Sequence, residues 1–156
     1  KKEDVFVAGL LHDIGRLVMM INFQDKYEQY ISYLNQMQYN DIREIEEKVF
    51  DINHQDLGKI VLEKWNFPQE LIDSVAQHHV VQVDSKYKLT VQIVGLANIF
   101  AKIIAHENLS QSDKDIESSS IKALNIEQDD YDYFTSEFID VIYADELYTM
   151  SASLIG

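Results

Sequence analysis

The chain has 156 residues, 46% of them hydrophobic, enough for one domain with a real core, which excludes a disordered chain or a small stapled scaffold. It has no cysteine, so disulfides, thiolate metal sites and cysteine nucleophiles are excluded, and any metal must be held by nitrogen and oxygen. Asp and Glu number 27 against 13 Lys and Arg, and the formal charge of −14 opposes binding to nucleic-acid phosphates or to anionic membrane surfaces.

One proline, five glycines and apolar spacings of three and four predict helices joined by short turns, with no convincing strand. A first helix is expected over Asp4 to His12, then an apolar segment from Leu17 to Ile21. Asp25 to Gln36 has Tyr27, Tyr30, Ile31 and Leu34 on one side of an amphipathic helix. Asp41 with Glu44 three residues on makes a capping-box pattern ahead of a short helix through Ile45 and Val49, and Asn53 is a plausible cap for the next. That helix, about His54 to Trp65, sets His54, Gly58, Val61 and Trp65 on one stripe, so His54 points to the apolar side as a core residue or a ligand. Pro68 suits the first turn of a helix running to about His79, with Leu71, Ile72, Val75 and Ala76 as its buried face. His78 and His79 at its end either complement the helix dipole or continue that face.

Leu89 to Ala105 is apolar nearly all round, as suits a central helix, yet too short for the about 18 residues of a membrane span. Asn98 is its polar exception and needs either backbone partners or a polar cavity. Glu107 to Ser120 reads as a surface loop, Ile121 to Ile126 as a short helix, and Tyr131, Phe134, Phe138 and Ile142 as the stripe of one last long helix. The domain boundaries expected are a core over 1–107 and, over 108–156, a loop plus a helical extension packed on it. The opening Lys-Lys-Glu-Asp lacks a secretory pattern, so a soluble cytoplasmic protein is expected; the start at lysine suggests a piece whose upstream part is absent.

His12-Asp13, closing the apolar run from Val5 to Leu11, carries the most chemistry. An imidazole nitrogen and a carboxylate oxygen suit divalent ions, but neighbours within a helix point about 100° apart, so the helix must end near the pair. Gly15 is expected to supply that ending through a left-handed backbone.

The order Gly9-Leu-Leu-His-Asp-Ile-Gly, a Tyr-rich helix, Glu46 and Phe50 ahead of His54, then Gly58, Trp65, Pro68 and His78-His79 resembles the HDOD family over about residues 5 to 104. This is a branch of the HD superfamily of metal-dependent phosphohydrolases, found in bacterial signalling proteins. The resemblance implies an all-α, HD-domain-like helical bundle with a metal cleft between the helix ending in His-Asp and its neighbours. It makes His12 and Asp13 the metal pair, with His54, His78 and His79 similar to the extra histidines of the two-metal HD-GYP phosphodiesterases. The ion implied is Fe, Mn, Ni or Mg.

Two departures bear on activity. Asn98 stands where active relatives carry an aspartate, leaving it a degenerate or indirect ligand, and the Gly-Tyr-Pro signature is missing after His79. A unit charge pair about 4 Å apart is worth on the order of 4 kcal/mol even with screening, so losing that carboxylate weakens an ion's hold. Hydrolysis is more sensitive still, because the ion must both acidify a water and polarise the phosphoryl oxygen. The preferred expectation is a regulatory signalling module with a partly retained metal site, little or no turnover, and a signalling protein or fused domain as partner. The competing one is a metal-dependent phosphohydrolase acting on a nucleotide-type phosphate ligand, with Arg16 steadying the phosphate.

Overall fold

The computed structural model describes residues 2–35 and 41–145, and among these it holds ten helices and no strand, an all-α bundle as expected. In chain order they are α1 (Lys2–Leu11), α2 (Ile14–Asn22), α3 (Gln24–Asn35), α4 (Ile42–Phe50), α5 (His54–Lys64), α6 (Gln69–Gln77), α7 (Lys88–Ile104), α8 (Gln111–Leu124), α9 (Gln128–Thr135) and α10 (Glu137–Ala144). Caps set several starts: the Asp41 side chain accepts from the Arg43 backbone N–H at α4, and the Asn53 side chain from that of Asp56 at α5.

The apolar faces gather into two clusters. Ala8, Leu62, Leu71, Ile72, Val75 and Val94 form one, joined by Ile14; Met19, Tyr30, Ile45, Val49 and Phe50 form the other, joined by Leu57. Helices α2 and α5 contribute to both and so tie the halves together. Helix α1 is apolar on most sides but buries only part of that surface, leaving Phe6 and Leu10 67% and 69% exposed.

Gly15 departs from expectation. It lies inside α2 with no left-handed backbone, and its small size serves a close crossing instead: a Cβ there would lie 2.0 Å from the His54 carbonyl oxygen. Trp65 departs too, since it follows the end of α5 and is 57% exposed rather than completing the buried stripe.

The segment expected as a loop over Glu107 to Ser120 is mostly helix. Ser110 and Asp113 form a reciprocal capping box that starts α8, and Ile116 and Ser120 are buried on its inner face, against α7. The expected helix of Ile121 to Ile126 is its tail and end. The one long last helix is two, α9 and α10, broken at Ser136 (φ −133°, ψ −83°), where the Thr135 and Ser136 hydroxyls bond back to carbonyls of α9. The end of the third expected helix, at Gln36, and the stretch after Asp145 lie outside the described residues.

Candidate metal centre

Helix α1 ends at Leu11, so His12 and Asp13 sit in the turn before α2, as expected of a pair that closes the helix. Helix α5 starts at His54, facing them, and α6 ends just before His78 and His79. Three helix ends thus meet. Gly15 lets α2 press its backbone onto that of His54, and Gly95 lets α7 press onto His78, where a Cβ would come within 2.8 Å of the carbonyl oxygen.

Asp13, His54, His78 and His79 offer ligand atoms that all lie within 4.8 Å of one another. The structure therefore brings together four of the five residues the sequence marks for metal. His12 stands beside them: its ring meets that of His78 edge-on at 5.0 Å, and its Nε2 is 3.6 Å from Asp13 Oδ2, the oxygen already taken by Arg16. Asn98 is half-buried on α7, and among the described residues no hydrogen bond links its amide to the group. Arg16 donates to Asp13 Oδ2 at 2.6 Å and to Glu46 Oε1 at 3.3 Å, so it braces two carboxylates of the site.

The proton placement is constrained. His54 Nδ1 lies 2.6 Å from a Glu46 carboxylate oxygen and His78 Nδ1 lies 2.9 Å from the Val75 carbonyl, and because neither partner can donate, each Nδ1 carries the hydrogen. In the neutral rings both Nε2 atoms then present lone pairs. They face each other at 3.4 Å and face Asp13 Oδ1 at 3.4 and 3.6 Å. Asp13 Oδ1 and His79 Nε2 are buried with no hydrogen-bond partner. With both rings neutral, three acceptors with no donor between them is an arrangement that burial penalises unless a proton or a metal ion joins them.

Electrostatics sharpens this. Burial, partly opposed by Asp13, pulls the His78 imidazole down to about 4, so at neutral pH it carries no extra proton to bridge the gap. Burial and then the neighbouring His78 and His54 push His79 the same way. Burial raises the Asp13 carboxyl, but the nearness of His78 and the Arg16 guanidinium outweighs it, and the group stays ionised well below the usual carboxylate range. A nitrogen-to-metal bond of about 2.1 Å places neighbouring ligand atoms roughly 3.0–3.4 Å apart, close to the separations found. Neutral imidazoles plus one carboxylate suit a divalent first-row ion, so the residues fit one.

Glu46, to which the sequence alone assigns no role, is the buried carboxylate behind His54. It is 0% exposed and accepts from His54 N at 2.9 Å, from His54 Nδ1 and from Arg16. A carboxylate behind an imidazole fixes its tautomer and raises its basicity toward a metal. The signal was available: Ile42, Ile45, Glu46, Val49 and Phe50 follow the spacing of a buried helix face, with one charged member.

An all-helical bundle with a buried carboxylate and histidine group at a His-Asp turn defines a domain of the HD type. The HDOD domain family model matches residues 1–81, and the chain belongs to that family. A relative described as "Uncharacterized protein" from Treponema pallidum (strain Nichols) is 26% identical over 110 residues, which is 67% of this chain and 20% of the relative. The chain thus spans about a fifth of that relative's length. No solved structure matches. Among the described residues no helix is long and apolar enough to cross a membrane.

Proposed function

We propose that this HDOD domain is a regulatory module of a cytoplasmic signalling pathway that holds one divalent ion, Fe, Mn, Ni or Mg, at Asp13, His54, His78 and His79 and turns over little or no substrate. The observation that carries the metal reading is the convergence of Asp13 Oδ1 with the lone pairs of His54 and His78 at 3.4 to 3.6 Å, with no donor among them. Low turnover is supported by the donor set, which contains one carboxylate where Asn98 offers only an amide. His12 would lean on Asp13 and His78 from outside the group, while Arg16 holds Asp13 in place and steadies any phosphate only with the hydrogens those carboxylates leave unused. A signalling protein or a fused domain is the proposed partner, in keeping with a relative about five times as long as the matched part.

The test is turnover. With manganese or iron added, the chain is expected to release neither phosphate from nucleotides nor a linear product from cyclic dinucleotides. Clear metal-dependent release of either, abolished by Asp13→Asn, would contradict the regulatory reading and establish a phosphohydrolase.

A further inference from the structure

An apolar groove of about 240 Å³ is lined by Ile93, Leu96, Ala97 and Phe100 of α7 and by Leu124 and Ile126 at the end of α8. Gly95 presses on His78, and Ile93 and Ala97, two residues to either side of it, point about 200° away, so the groove faces away from the histidine group. Leu89, one turn ahead of Ile93, continues the stripe and is 58% exposed. At the other end Phe134 of α9 stacks on Phe100 at 5.7 Å, and both Phe134 and its neighbour Tyr133 remain exposed. The stripe from Leu89 to Phe100 runs about 16 Å, the length of three turns of a helix laid along it. A continuous apolar surface open to water marks a place where something docks.

The rim is charged with one sign. No Lys or Arg follows Lys122 in the chain, whereas Glu127, Asp129, Asp130, Asp132, Glu137 and Asp140 follow it and are all exposed. Among the described residues no Lys or Arg bridges to any of these six. Glu127 adjoins Ile126 and Asp130 precedes Phe134 by one helical turn, so the acids border the α9 end of the groove. Lys86 and Lys88 stand at the opposite end, beside Leu89.

Charge selects among the possible covers. A second copy would set one acidic rim against another, and an anionic membrane surface is repelled in the same way. Residues 146–156 hold one acid, Glu146, and no base, so the rim does not favour them. A helix with lysines or arginines beside an apolar stripe satisfies both the groove and the rim.

We infer that this groove takes a basic amphipathic helix of a partner protein, its apolar stripe along Leu89, Ile93, Ala97 and Phe100 and its cations over Glu127, Asp129 and Asp130. The surface lies beyond residue 81, past the stretch that matches the family. The inference rests on the partner half of the proposed function and gives that partner a chemistry and a place; it needs neither the ion nor turnover.

The test uses the full chain and a labelled helical peptide of leucine and lysine, about fourteen residues long, with its leucines in one stripe. Fluorescence anisotropy at near-physiological salt is expected to show saturable binding of one equivalent. A peptide of the same composition with its leucines scattered keeps the charge and loses the stripe, and is expected to bind at least about tenfold more weakly. Ala97→Arg sets a bulky cation in the groove and should weaken binding at least about tenfold. The position is exposed and arginine is nearly as good a helix former as alanine, so the thermal midpoint should hold. Asp129→Lys combined with Asp130→Lys reverses the rim and should weaken binding in the same direction. No saturable binding, equal binding of the two peptides, or binding unaffected by Ala97→Arg would overturn the inference. So would a dimer of the chain alone that Ala97→Arg breaks, which assigns the groove to a second copy. Tenfold tighter binding in Leu154→Ser combined with Ile155→Ser would also overturn it, by assigning the groove to the chain's own end. Manganese binding that persists while peptide binding fails would sink this inference and leave the metal reading standing.

Discussion

Replacing Gly15 with alanine is expected to cost at least about 3 kcal/mol in urea unfolding, the upper part of the range for overpacking. The added methyl would lie 2.0 Å from the His54 carbonyl oxygen, 2.8 Å from its carbon and 3.0 Å from Gly58 N, all backbone atoms. No rotamer relieves such a clash, so α2 and α5 must part and carry His54 away from Asp13. Alanine is the better helix former by about 1 kcal/mol, and the clash outweighs that gain. Gly58→Ala is the control. Its methyl would meet the Val75 Cγ1 methyl at 2.6 Å and the Ile14 Cγ2 methyl at 3.3 Å, side-chain rather than backbone atoms, so a loss of about 1–2 kcal/mol, smaller than that of Gly15→Ala, is expected. Equal stability of Gly15→Ala and the parent chain would show that the helices do not cross this closely.

Removing the Glu46 carboxylate should be the most damaging polar change. Glu46→Ala leaves the His54 Nδ1–H and backbone N–H without an acceptor and strips Arg16 of one partner, all at a fully buried position. Breaking a buried charge network from one side costs about 3–5 kcal/mol, a large share of the roughly 5–15 kcal/mol that holds a domain together. Glu46→Gln keeps the shape but not the charge. It should fold, and with a less basic His54 behind the ion it should bind manganese about 10- to 100-fold more weakly, as measured by calorimetry. Unchanged stability in Glu46→Ala, or unchanged affinity in Glu46→Gln, would remove Glu46 from the site.

The fold was legible where apolar spacing is strong. The faces of α4 and α6 could be read from Ile45 and Val49 and from Leu71, Ile72 and Val75, all of them buried, while Ala76 of the same expected face is only partly so. Helix α8 was obscured because its inner face uses Asp113 and Ser120 beside a single isoleucine, Ile116, so periodicity in hydrophobicity is faint. Its Ser110-x-x-Asp113 start was the better signal. The last stripe ran across a break that Thr135 and Ser136 make by bonding back to the preceding turn, which an apolar pattern does not register.

Within the candidate site, the meeting of Asp13 with His54, His78 and His79 follows from helix ends that the sequence marks. That His12 Nε2 comes to 3.6 Å of Asp13 Oδ2 and still stands beside the four-residue group could not be read, since only the backbone fixes where two adjacent side chains in a turn point. The reason for Gly15 was equally hidden. A tight helix crossing and a left-handed turn both call for glycine, and one sequence does not tell them apart.

Three imidazoles and one carboxylate, those of His54, His78, His79 and Asp13, are proposed to form a cation site. Calorimetric titration of chelator-treated protein with manganese and with nickel at neutral pH tests it most directly. One ion per chain is expected, with binding lost in Asp13→Asn and in His78→Ala while both variants remain helical by circular dichroism. No saturable binding of either metal, or binding that survives both substitutions, would contradict it.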